Sequence, residues 1–468
     1  TTDEPPARIA RAFEQVGPRV SGRICIFEDG KFANFFPLSL AQPVFDLRVG
    51  AGTLRERWLA GGTHGQVSLI CRDYLADVVR LAAPGLPVND AVAGDTLLVN
   101  GRWLCMAGER DAFLSRLPDD SVALQGGCLV AARVSRDAAA DLARALRAQI
   151  TDAAVDAVCS QLEKARAQSA ADADAEALSP DLMRVIDARR LRRVEMPEAR
   201  VLSFPWQLVE HNSACIADDF ARAARGHAKD AAIHPGVHLV EPKRIAIGSR
   251  AAIRAGTVID ASDGPVVIGE GVVVMANATI VGPAAIGAGS VVKAGARILA
   301  GTSVGKVCKV GGEVDESIFA DYTNKQHDGF LGHTYLGSWV NIGAASNNSD
   351  LKNNYGSVRM WNAGRPRDTG RQFLGLVMGD HTKTGINAVF NTGTVVGFNC
   401  NLYSSEMPDA FVPSFSWGHG RDVVPYELEK AVQTATAAMH RRGIAFTAEH
   451  RRLFERVHDM VARAGRNA

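Results

Sequence analysis

The chain has 468 residues, too many for one ordinary hydrophobic core, so we expect two or more domains. Its hydrophobic content of 47% excludes general disorder, and a net charge of +1 gives no reason to expect a nucleic-acid or membrane-surface partner. No apolar run approaches the roughly 18–20 residues that span a bilayer. The eight Cys are scattered without a C-x-x-C pair, so no metal site or disulfide framework is indicated, and we expect buried thiols in a reducing cytoplasm.

A loose tail and an α/β domain are predicted for the first part of the chain. Residues 1–21 are polar and lack the apolar stretch of a signal peptide. Apolar runs then alternate with helical stretches: the runs are Arg23–Phe27, Val67–Cys71, Thr96–Val99 and Val122–Ala132, and the helical stretches include Leu54–Leu59 and Leu75–Leu81. This alternation predicts a Rossmann-like α/β domain over residues 22–222 with a parallel sheet. Residues 133–200, rich in Ala, Arg and Asp at helical spacing, predict a helical insertion, and Phe204–Phe220 predicts a return to the sheet followed by a short helix.

Between Ile233 and Asp315 apolar residues recur at every sixth position. The unbroken run is Ile268, Val274, Ile280, Ile286, Val292, Ile298, Val304 and Val310. Neither a helix, with a period of 3.6 residues, nor an ordinary strand, with a period of 2, has this spacing. A hexapeptide repeat predicts a β-helix, a triangular prism of short stacked strands in which one apolar side chain per hexad points inward.

The six-residue rhythm breaks after Asp315 and resumes later. It returns weakly at Tyr335–Gly343 and then in sixes at Val377, Lys383, Val389 and Val395, although a lysine is unexpected at an inward position. We predict the β-helix over residues 230–423. Because a single prism is usually short of buried area and stacked-coil proteins commonly associate side by side, we expect a homotrimer.

Two amphipathic helices are predicted for residues 424–468. The apolar stripe of the first is Leu428, Val432, Ala435 and Met439, and that of the second is Leu453, Val457, Met460 and Val461. Such stripes need a surface to cover. It is either the flank of the same prism or a neighbouring subunit.

A polar segment, residues 324–356, stands where the six-residue rhythm is broken. It contains two His, two Tyr, two Lys and many Asn, and we expect a loop held out from the rigid prism. Transfer of an acyl group from a thioester to an amine needs a base for the amine proton, donors for the oxyanion and a polar cradle for the acceptor. His can act as the base, and Asn side chains and backbone N–H groups can donate to the oxyanion. Lys, Tyr and Asn can bind the acceptor if it is a phosphorylated sugar. The segment therefore predicts an acyl-transfer site.

Three motifs in this segment resemble those of a known enzyme family. His333-Thr-Tyr-Leu-Gly, Val340-Asn-Ile-Gly-Ala and Asn354-Tyr355-Gly look like the acetyltransferase half of the bifunctional N-acetylglucosamine-1-phosphate uridylyltransferase/glucosamine-1-phosphate acetyltransferase family. That family joins an N-terminal nucleotidyltransferase domain to a left-handed β-helix. The resemblance therefore implies this fold, a homotrimer, and acetyl-CoA bound between neighbouring prisms.

The resemblance also implies roles for individual residues. His333 takes the role of catalytic base, and Ala344 that of a backbone contact to the coenzyme. The implied contacts to the sugar phosphate are Tyr335, Asn341, Asn354 and Tyr355, to which we add Lys352, and we add His381 and Lys383 to the coenzyme contacts. The family's base stands two residues before the Thr of its T-Y-L-G motif, whereas His333 directly precedes Thr334. His327 and His381 are therefore alternative bases.

The first domain lacks the sequence features by which the resembled fold binds a nucleoside triphosphate. A Gly-rich G-x-G-T-R loop is expected after the first strand, where backbone N–H groups cradle phosphates, but Glu28-Asp-Gly-Lys-Phe stands there. A similar pattern begins late, at Gly50, and its Thr53 and Glu56 predict an ordinary capping box at a helix start. Asn100 stands where the family has a metal-binding Asp, and an amide binds Mg²⁺ more weakly than a carboxylate.

Two further stretches resemble a divergent, sugar nucleotidyltransferase-like branch with the same prism. They are Gln42-Pro-Val-Phe-Asp46-Leu-Arg48 and the stretch from Pro205 to Asn212. The implied contacts to a nucleotide sugar are Asp46, Arg48, Asn100, Arg102 and Asn212. The alternative for Asp46, Arg48 and Arg102 is a set of surface salt bridges.

Three functions remain open at this point. The first is an enzyme of nucleotide-sugar biosynthesis that acetylates an amino sugar phosphate with acetyl-CoA and couples it to UTP with Mg²⁺. The second is an acyltransferase whose first domain only binds substrate or sets assembly. The third is a non-catalytic scaffold, which the polar segment 324–356 speaks against.

Overall fold

The structure is a computed structural model, and it describes residues 22–60, 66–164, 177–222, 226–403 and 405–465. The predicted tail at residues 1–21 lies outside these ranges. An α/β domain extends to Arg222, a β-helix begins at Ala232, and two helices follow it. No helix in the described ranges is both long enough and apolar enough to cross a membrane.

A six-stranded mixed sheet forms the centre of the first domain. In spatial order its strands are Val67–Ile70, Arg23–Phe27, Thr96–Asn100, Cys128–Val134, Ser121–Gln125 and Arg192–Glu195. The first three are parallel, but Cys128–Val134 pairs antiparallel with both of its neighbours. The prediction of a parallel sheet was wrong here because the apolar run Val122–Ala132 is a hairpin. It turns at Gly126 and Gly127, whose positive φ angles suit glycine.

The helices of the first domain agree in part with the sequence pattern. They are Leu54–Leu59, Ala76–Ala82, Ala107–Arg116, Arg136–Ala148, Asp152–Lys164, Pro180–Ala188 and Trp206–Arg222. The first begins with the predicted capping box, in which Thr53 and Glu56 exchange hydrogen bonds of 2.9 and 3.1 Å. The described helices of the insertion end at Ala188, because the next element, Arg192–Glu195, is a strand of the central sheet. The short helix expected near Phe220 is the 17-residue helix Trp206–Arg222.

The second domain is a parallel β-helix with three faces. The strands of the first face are His238–Val240, Val258–Asp260, Thr279–Val281, Arg297–Ile298, Glu313–Asp315 and Phe330–Gly332. Those of the second face are Ile245–Ile247, Val266–Ile268, Ala284–Ile286, Thr302–Val304, Ile318–Phe319, Tyr335–Leu336, Val377–Met378, Val395–Val396 and Phe411–Val412. Those of the third face are Ala232–Ile233, Ala252–Ile253, Val273–Val274, Val291–Val292, Lys309–Val310 and Asn324–Lys325.

The last coils are less regular. Their strands are Asn347–Asn348, which pairs with Val389–Phe390, and Lys383–Thr384, Asn401–Leu402, Ser416–His419 and Asp422–Pro425, which form a four-stranded sheet. One hairpin, Arg359–Asn362 with Arg365–Asp368, stands apart from the three faces. A short antiparallel pair, Arg48–Val49 with Gly52–Thr53, belongs to the first domain.

The predicted hexads form the interior of the prism. All eight residues from Ile268 to Val310 in steps of six are at most 1% exposed. Each inward side chain stacks on its equivalent in the next coil, as the strand registers show for Ile268 and Ile286. This hexad prediction is confirmed.

Two details of the later coils differ from the prediction. The inward residues there are Met378, Thr384, Phe390 and Val396, one position after the predicted set. Val377 and Val395 point outward but are also buried, because the first domain covers the second face. Both positions of each strand are therefore apolar, and the sequence pattern does not separate inside from outside.

The polar segment 324–356 was predicted to leave the prism, and most of it does not. Residues up to Asn348 continue the coils, with Lys325 and Asn348 buried at inward positions, where their polar character hid the repeat. Lys325 Nζ donates hydrogen bonds to the carbonyls of Gly311 and His327 at 3.0 and 2.8 Å. Only residues 349–375, here called the excursion, depart from the faces.

The first domain packs along the second face of the prism. Helix Trp206–Arg222 lies against the strands of that face, and its Asn212 accepts from Gly50 N–H (2.7 Å) and donates to the Gly301 carbonyl (2.7 Å). Arg48 forms an ion pair of 2.7 Å with Asp321. These buried polar contacts join the two domains.

The two C-terminal helices, Leu428–His440 and Ala448–Gly465, confirm the prediction for residues 424–468. Phe454 packs against Phe398 of the prism, with ring centroids 5.0 Å apart. On the other side Arg452 contacts Asp77 of the first domain at 2.8 Å. Of the two surfaces left open for the apolar stripes, the helices therefore cover the flank of their own chain.

Candidate active site

His333 lies at the corner between the first and second faces, flanked by two carboxylates. Glu316 and Asp350 each lie 17 residues from His333, which is one coil, so the three side chains form a column. Asp350 Oδ2 is 2.9 Å from Nδ1 of His333, and Glu316 Oε2 is 3.2 Å from Nε2. Gly332 permits this approach, because a Cβ at that position would collide with the Asp350 carboxylate. We call Glu316, His333 and Asp350 the His333 cluster.

The two carboxylates set the charge of the imidazole. Burial disfavours the charged form of His333, but hydrogen bonds and attraction to Asp350 and Glu316 outweigh it and raise the pKa to about 9. In return, the hydrogen bond to His333 lowers the pKa of Glu316. At neutral pH the cluster therefore holds an imidazolium between two carboxylates, with a net charge of −1. It attracts an ammonium group, and the ring gains basic character only when it loses a proton.

The excursion begins beside this cluster and returns to it. Leu351 and Phe373 form an antiparallel bridge, and the N–H of Leu374 donates to the carbonyl of Asp350 at 2.8 Å. The ring of Phe373 stacks on His333 with centroids 5.3 Å apart. Phe373 is partly exposed, so the imidazole lies at the base of a surface feature rather than in the interior.

Three predicted substrate contacts lie on the excursion. Lys352 Nζ donates to the carbonyl of Ser357 at 2.7 Å, and Asn354 Oδ1 accepts from Gly356 N–H at 3.1 Å. Tyr355 is 68% exposed, and its carbonyl accepts a bond of 3.1 Å from Gln372. These residues and His333 are thus placed on one continuous feature, although their roles in binding stay predictions.

Tyr335 occupies a position that does not suit the predicted contact with a substrate. Its ring is fully buried on the second face, and its hydroxyl accepts from the N–H of Arg48 at 2.8 Å. Burial raises the pKa of the hydroxyl above its usual range. The motif resemblance pointed to Tyr335, but the first domain covers the face that carries it.

The other predicted contacts from the motifs are spread over the third face and its corners. Asn341 pairs with Asn324 and Lys383 in neighbouring coils of the third face. Ala344 is at the turn that leaves this face, and its carbonyl accepts from Asn387 N–H at 2.7 Å. They are therefore on a different side of the prism from the His333 cluster.

The two alternative bases have different surroundings. His327 is exposed at the corner between the third and first faces. His381 is buried near the rings of Trp339 and Phe454, and burial lowers its pKa well below the usual value, so it is neutral. Lys383 donates to the carbonyls of Trp339 and His381 (2.8 Å each), and burial lowers its pKa to about 7. Of these three histidines, His333 is the one whose two ring nitrogens each contact a carboxylate.

The predicted nucleotide contacts Asn100 and Arg102 form a closed network in the first domain. The guanidinium of Arg102 binds both oxygens of Asp29, with Nε–Oδ1 at 2.9 Å and Nη2–Oδ2 at 2.7 Å. Asn100 donates to Asp29 (2.8 Å) and to the carbonyl of Leu129 (2.9 Å). Burial favours the protonated form of Asp29, but Arg102 and Asn100 outweigh it and lower the pKa of the carboxyl.

Three other predicted nucleotide contacts make structural interactions. Asp46 pairs with Arg55 at 2.6 Å, while Arg48 and Asn212 join the domains as described above. Arg48 and Asn212 are buried and face the prism. Of the two alternatives for Arg48 and Arg102, ion pairing is observed, but not at the surface, because the two arginine side chains are 4% and 1% exposed.

Sequence reasoning missed the two carboxylates of the His333 cluster. Part of the signal was available, because the coils around His333 take 17 residues and positions 316 and 350 are each 17 residues from it. The broken rhythm after Asp315 concealed that count. The rhythm broke because the inward residues Val310, Val314 and Phe319 follow one another at steps of four and five. The polar Lys325 and Asn348 at inward positions obscured it further.

Comparison with known proteins identifies both parts of the chain. Residues 24–228 match the model of the sugar nucleotidyl transferase family, and residues 265–300 match the bacterial transferase hexapeptide model of six repeats. The chain is 34% identical over 110 residues to the bifunctional protein GlmU of Methanocaldococcus jannaschii, covering 24% of this chain and 27% of the relative. It is 28% identical over 186 residues to GlmU of Synechococcus elongatus, covering 39% and 36%. The matches thus span about a third or less of these curated relatives.

Solved structures show a weaker similarity. The UDP-N-acetylglucosamine acyltransferase of Campylobacter jejuni aligns with a TM-score of 0.22 and 14% identity, over 51% of this chain and 94% of the other. An N-acyltransferase of Bacillus cereus, AntD, aligns with a TM-score of 0.17 and 13% identity, over 46% and 91%. Scores this low carry no argument about function. The family models show a sugar nucleotidyl transferase-family domain that precedes a hexapeptide-repeat β-helix, in a chain that is similar to GlmU proteins over part of its length.

Proposed function

We propose that the protein is an acyl-CoA-dependent N-acyltransferase of nucleotide-sugar biosynthesis, with an amino sugar phosphate as acceptor and acetyl-CoA as donor. The observation that carries the proposal is the His333 cluster at the base of the exposed excursion. The names of the curated relatives, bifunctional GlmU and a sugar-1-phosphate nucleotidylyltransferase/acetyltransferase, support the same chemistry. A homotrimer with the coenzyme between prisms is part of the proposal. The eight free cysteines support a reducing compartment such as the cytoplasm.

The cluster supplies what the acceptor amine needs. In the reaction the amine nitrogen forms a bond to the thioester carbonyl carbon, the carbon–sulfur bond breaks, and the amine gives up a proton while the thiolate gains one. The acceptor arrives as an ammonium ion, which Glu316 and Asp350 attract. The reaction needs both the free amine and the neutral imidazole. Because each cation lowers the pKa of the other, both groups lose a proton to solvent more readily, and His333 then takes the proton that the amine nitrogen releases when it attacks the thioester.

The excursion supplies charge of the opposite sign for the phosphate. Lys352, Arg359 and Arg371 all belong to it, and the last two are exposed. Basic side chains beside an acidic cluster suit an acceptor that carries an amine at one end and a phosphate at the other. A non-catalytic scaffold would not need basic side chains placed next to an acidic cluster.

The test is a thiol-release assay with acetyl-CoA and a panel of amino sugar-1-phosphates. His333→Gln should lower kcat at least 100-fold, because general-base catalysis typically contributes 10²–10⁴-fold. His327→Gln, an exposed histidine at another corner, is the matched control and should retain activity. Full activity of His333→Gln, or thiol release by no member of the panel, would contradict the proposal.

A second variant separates a base from a structural histidine. Glu316→Gln removes one carboxylate and should lower the pKa of His333, so the rising limb of the pH–rate profile should shift to lower pH. A histidine that only supports the fold would leave that limb in place. NMR titration of the imidazole in both proteins provides the matching direct measurement.

A further inference from the structure

We infer that the first domain holds no divalent metal–nucleotide complex at the carboxyl edge of its sheet, because the guanidinium of Arg102 occupies the position of the cation. In the resembled fold an acidic metal ligand ends the central strand, and here Asn100 ends it. The side chain that approaches this strand end from the next turn is Arg102, which is 1% exposed and pairs with Asp29. A positive charge of the protein itself thus neutralises the carboxylate that a metal would use.

The donor atoms at this position do not fit Mg²⁺. Both oxygens of Asp29 are bound by Arg102, and Asn100 turns its amide nitrogen, not its oxygen, toward Asp29. The oxygen of Asn100 accepts from the N–H of Arg102 at 2.9 Å. Mg²⁺ requires several oxygen ligands in near-octahedral geometry. In the part of the chain that the structure describes, no group of three or more His, Cys, Asp or Glu is placed to hold a metal ion.

The guanidinium is fixed more firmly than an exchangeable counter-ion would be. Arg102 also donates to the carbonyl of Leu202 at 2.6 Å and contacts the sulfur of Cys128 at 3.3 Å. A metal ion could enter only by displacing it, which would leave a buried guanidinium without its carboxylate. Breaking a buried ion pair in this way is strongly unfavourable.

The segment after the first strand, where the resembled fold binds phosphates, is also occupied by the protein's own contacts. The segment after the first strand is held by a fully buried ion pair, Glu28 with Arg72 at 3.0 Å, and Arg72 also donates to the carbonyl of Ser39. The hairpin of the excursion lies over the same segment, where Asn362 Nδ2 donates to the carbonyl of Asn34 at 2.5 Å. Side chains and backbone carbonyls therefore stand where a Gly-rich loop would offer N–H groups.

A cleft in the described part of this domain lies at the opposite end of the strands. This cleft of about 610 Å³ opens beside Arg23 and Thr96, the amino-terminal residues of the first and third parallel strands. In open sheets of this class, ligands bind beyond the carboxyl ends of the strands. The domain has thus kept the family's fold while its carboxyl edge contacts the second domain instead of a nucleotide.

The test needs only the wild-type protein. Mn²⁺ serves as a paramagnetic stand-in for Mg²⁺, and its EPR signal is recorded with UTP as increasing amounts of protein are added. We expect the signal of the Mn²⁺–UTP complex to be unchanged. Saturable binding that Asp29→Asn abolishes would overturn the inference, whereas binding that Asp29→Asn leaves intact lies elsewhere and leaves it standing.

A variant examines the position itself. Arg102→Ala leaves Asp29 beside an empty space of guanidinium shape, so we expect a lower Tm that millimolar methylguanidinium partly restores. Arg116→Ala, which removes an exposed arginine paired with Glu198, should show neither effect. An Arg102→Ala protein as stable as the wild type would contradict the role of Arg102 as the fixed partner of Asp29. If that variant does not fold, the Mn²⁺–UTP titration of the wild-type protein still tests the inference.

Discussion

The imidazole of His333 is bonded to one carboxylate from the coil below and one from the coil above, and its charge state sets what this corner can do. The corner backbone is itself unusual, since both Glu316 and His333 have positive φ angles of 39° and 47°. Side chains in this conformation project from the prism edge toward the same column. The resemblance placed the functional histidine here, but only the coil length tells which carboxylates it meets.

Stability should depend on pH through His333. Its folded pKa of about 9 exceeds the unfolded value of roughly 6.5, so the stabilisation is complete below pH 6.5 and is lost as the pH rises through 9. The side chain is 17% exposed, and the full effect is about 3 kcal/mol. Urea unfolding at pH 6 and at pH 9.5 measures the difference. His333→Gln should lose most of this decrease, and an equal decrease in that variant would assign it to other groups.

At the scale of elements, the excursion is an expanded corner that the first domain holds in place. Arg371 pairs with Glu210 at 2.6 Å, and the guanidinium of Arg367 lies 5.3 Å from the ring of Phe204. Sequence patterns could predict the regular coils, because each apolar hexad is a local signal. They could not predict the path of the excursion, since its contacts with the first domain are with residues more than 100 positions earlier in the chain.

Loosening the excursion should affect substrate binding more than stability. The Glu210–Arg371 pair is partly solvent-exposed, so Glu210→Gln should change the unfolding free energy by less than about 1 kcal/mol. If the excursion binds the acceptor, KM for the sugar phosphate should rise several-fold with kcat little changed. Steady-state kinetics would show this. Glu198→Gln, another exposed pair with arginine, is the matched control, and an equal KM change there would refute the role of the excursion.

The last helix, Ala448–Gly465, is a second element whose removal should be costly. Phe454 is buried among the rings of Phe398, Phe415 and Phe446. Phe454→Ala should lower the unfolding free energy by about 3–5 kcal/mol because it leaves a cavity. Met183→Ala, at a partly exposed position, should change it little. Similar Tm values for the two variants would mean that the helix is not docked as described.

At the scale of the whole molecule, the two domains share a continuous core. Buried side chains of the first domain, such as Leu208, belong to the same cluster as Val377 and Val395 of the prism. The order of the domains and the β-helix could be predicted from the sequence. The packing of one domain along the face of the other could not, because apolar residues on that face look the same as inward ones.

This shared core should make the two domains unfold together. Calorimetry should show one transition, in contrast to two for domains joined only by a linker. Asn212→Ala removes two buried hydrogen bonds across the interface, with Gly301 and Ser303, and should cost about 2–4 kcal/mol. Asn353→Ala is an exposed control. Two separate transitions in the wild type would contradict the shared core.

The covered second face also restricts how copies of the chain could assemble. The first domain lies along that face, and the C-terminal helices contact the third-face residue Asn324 through Arg442. A threefold axis would therefore have to pass beside the first face and the early coils of the third. In such an assembly each first domain would lie on the side of its prism that is turned away from the axis.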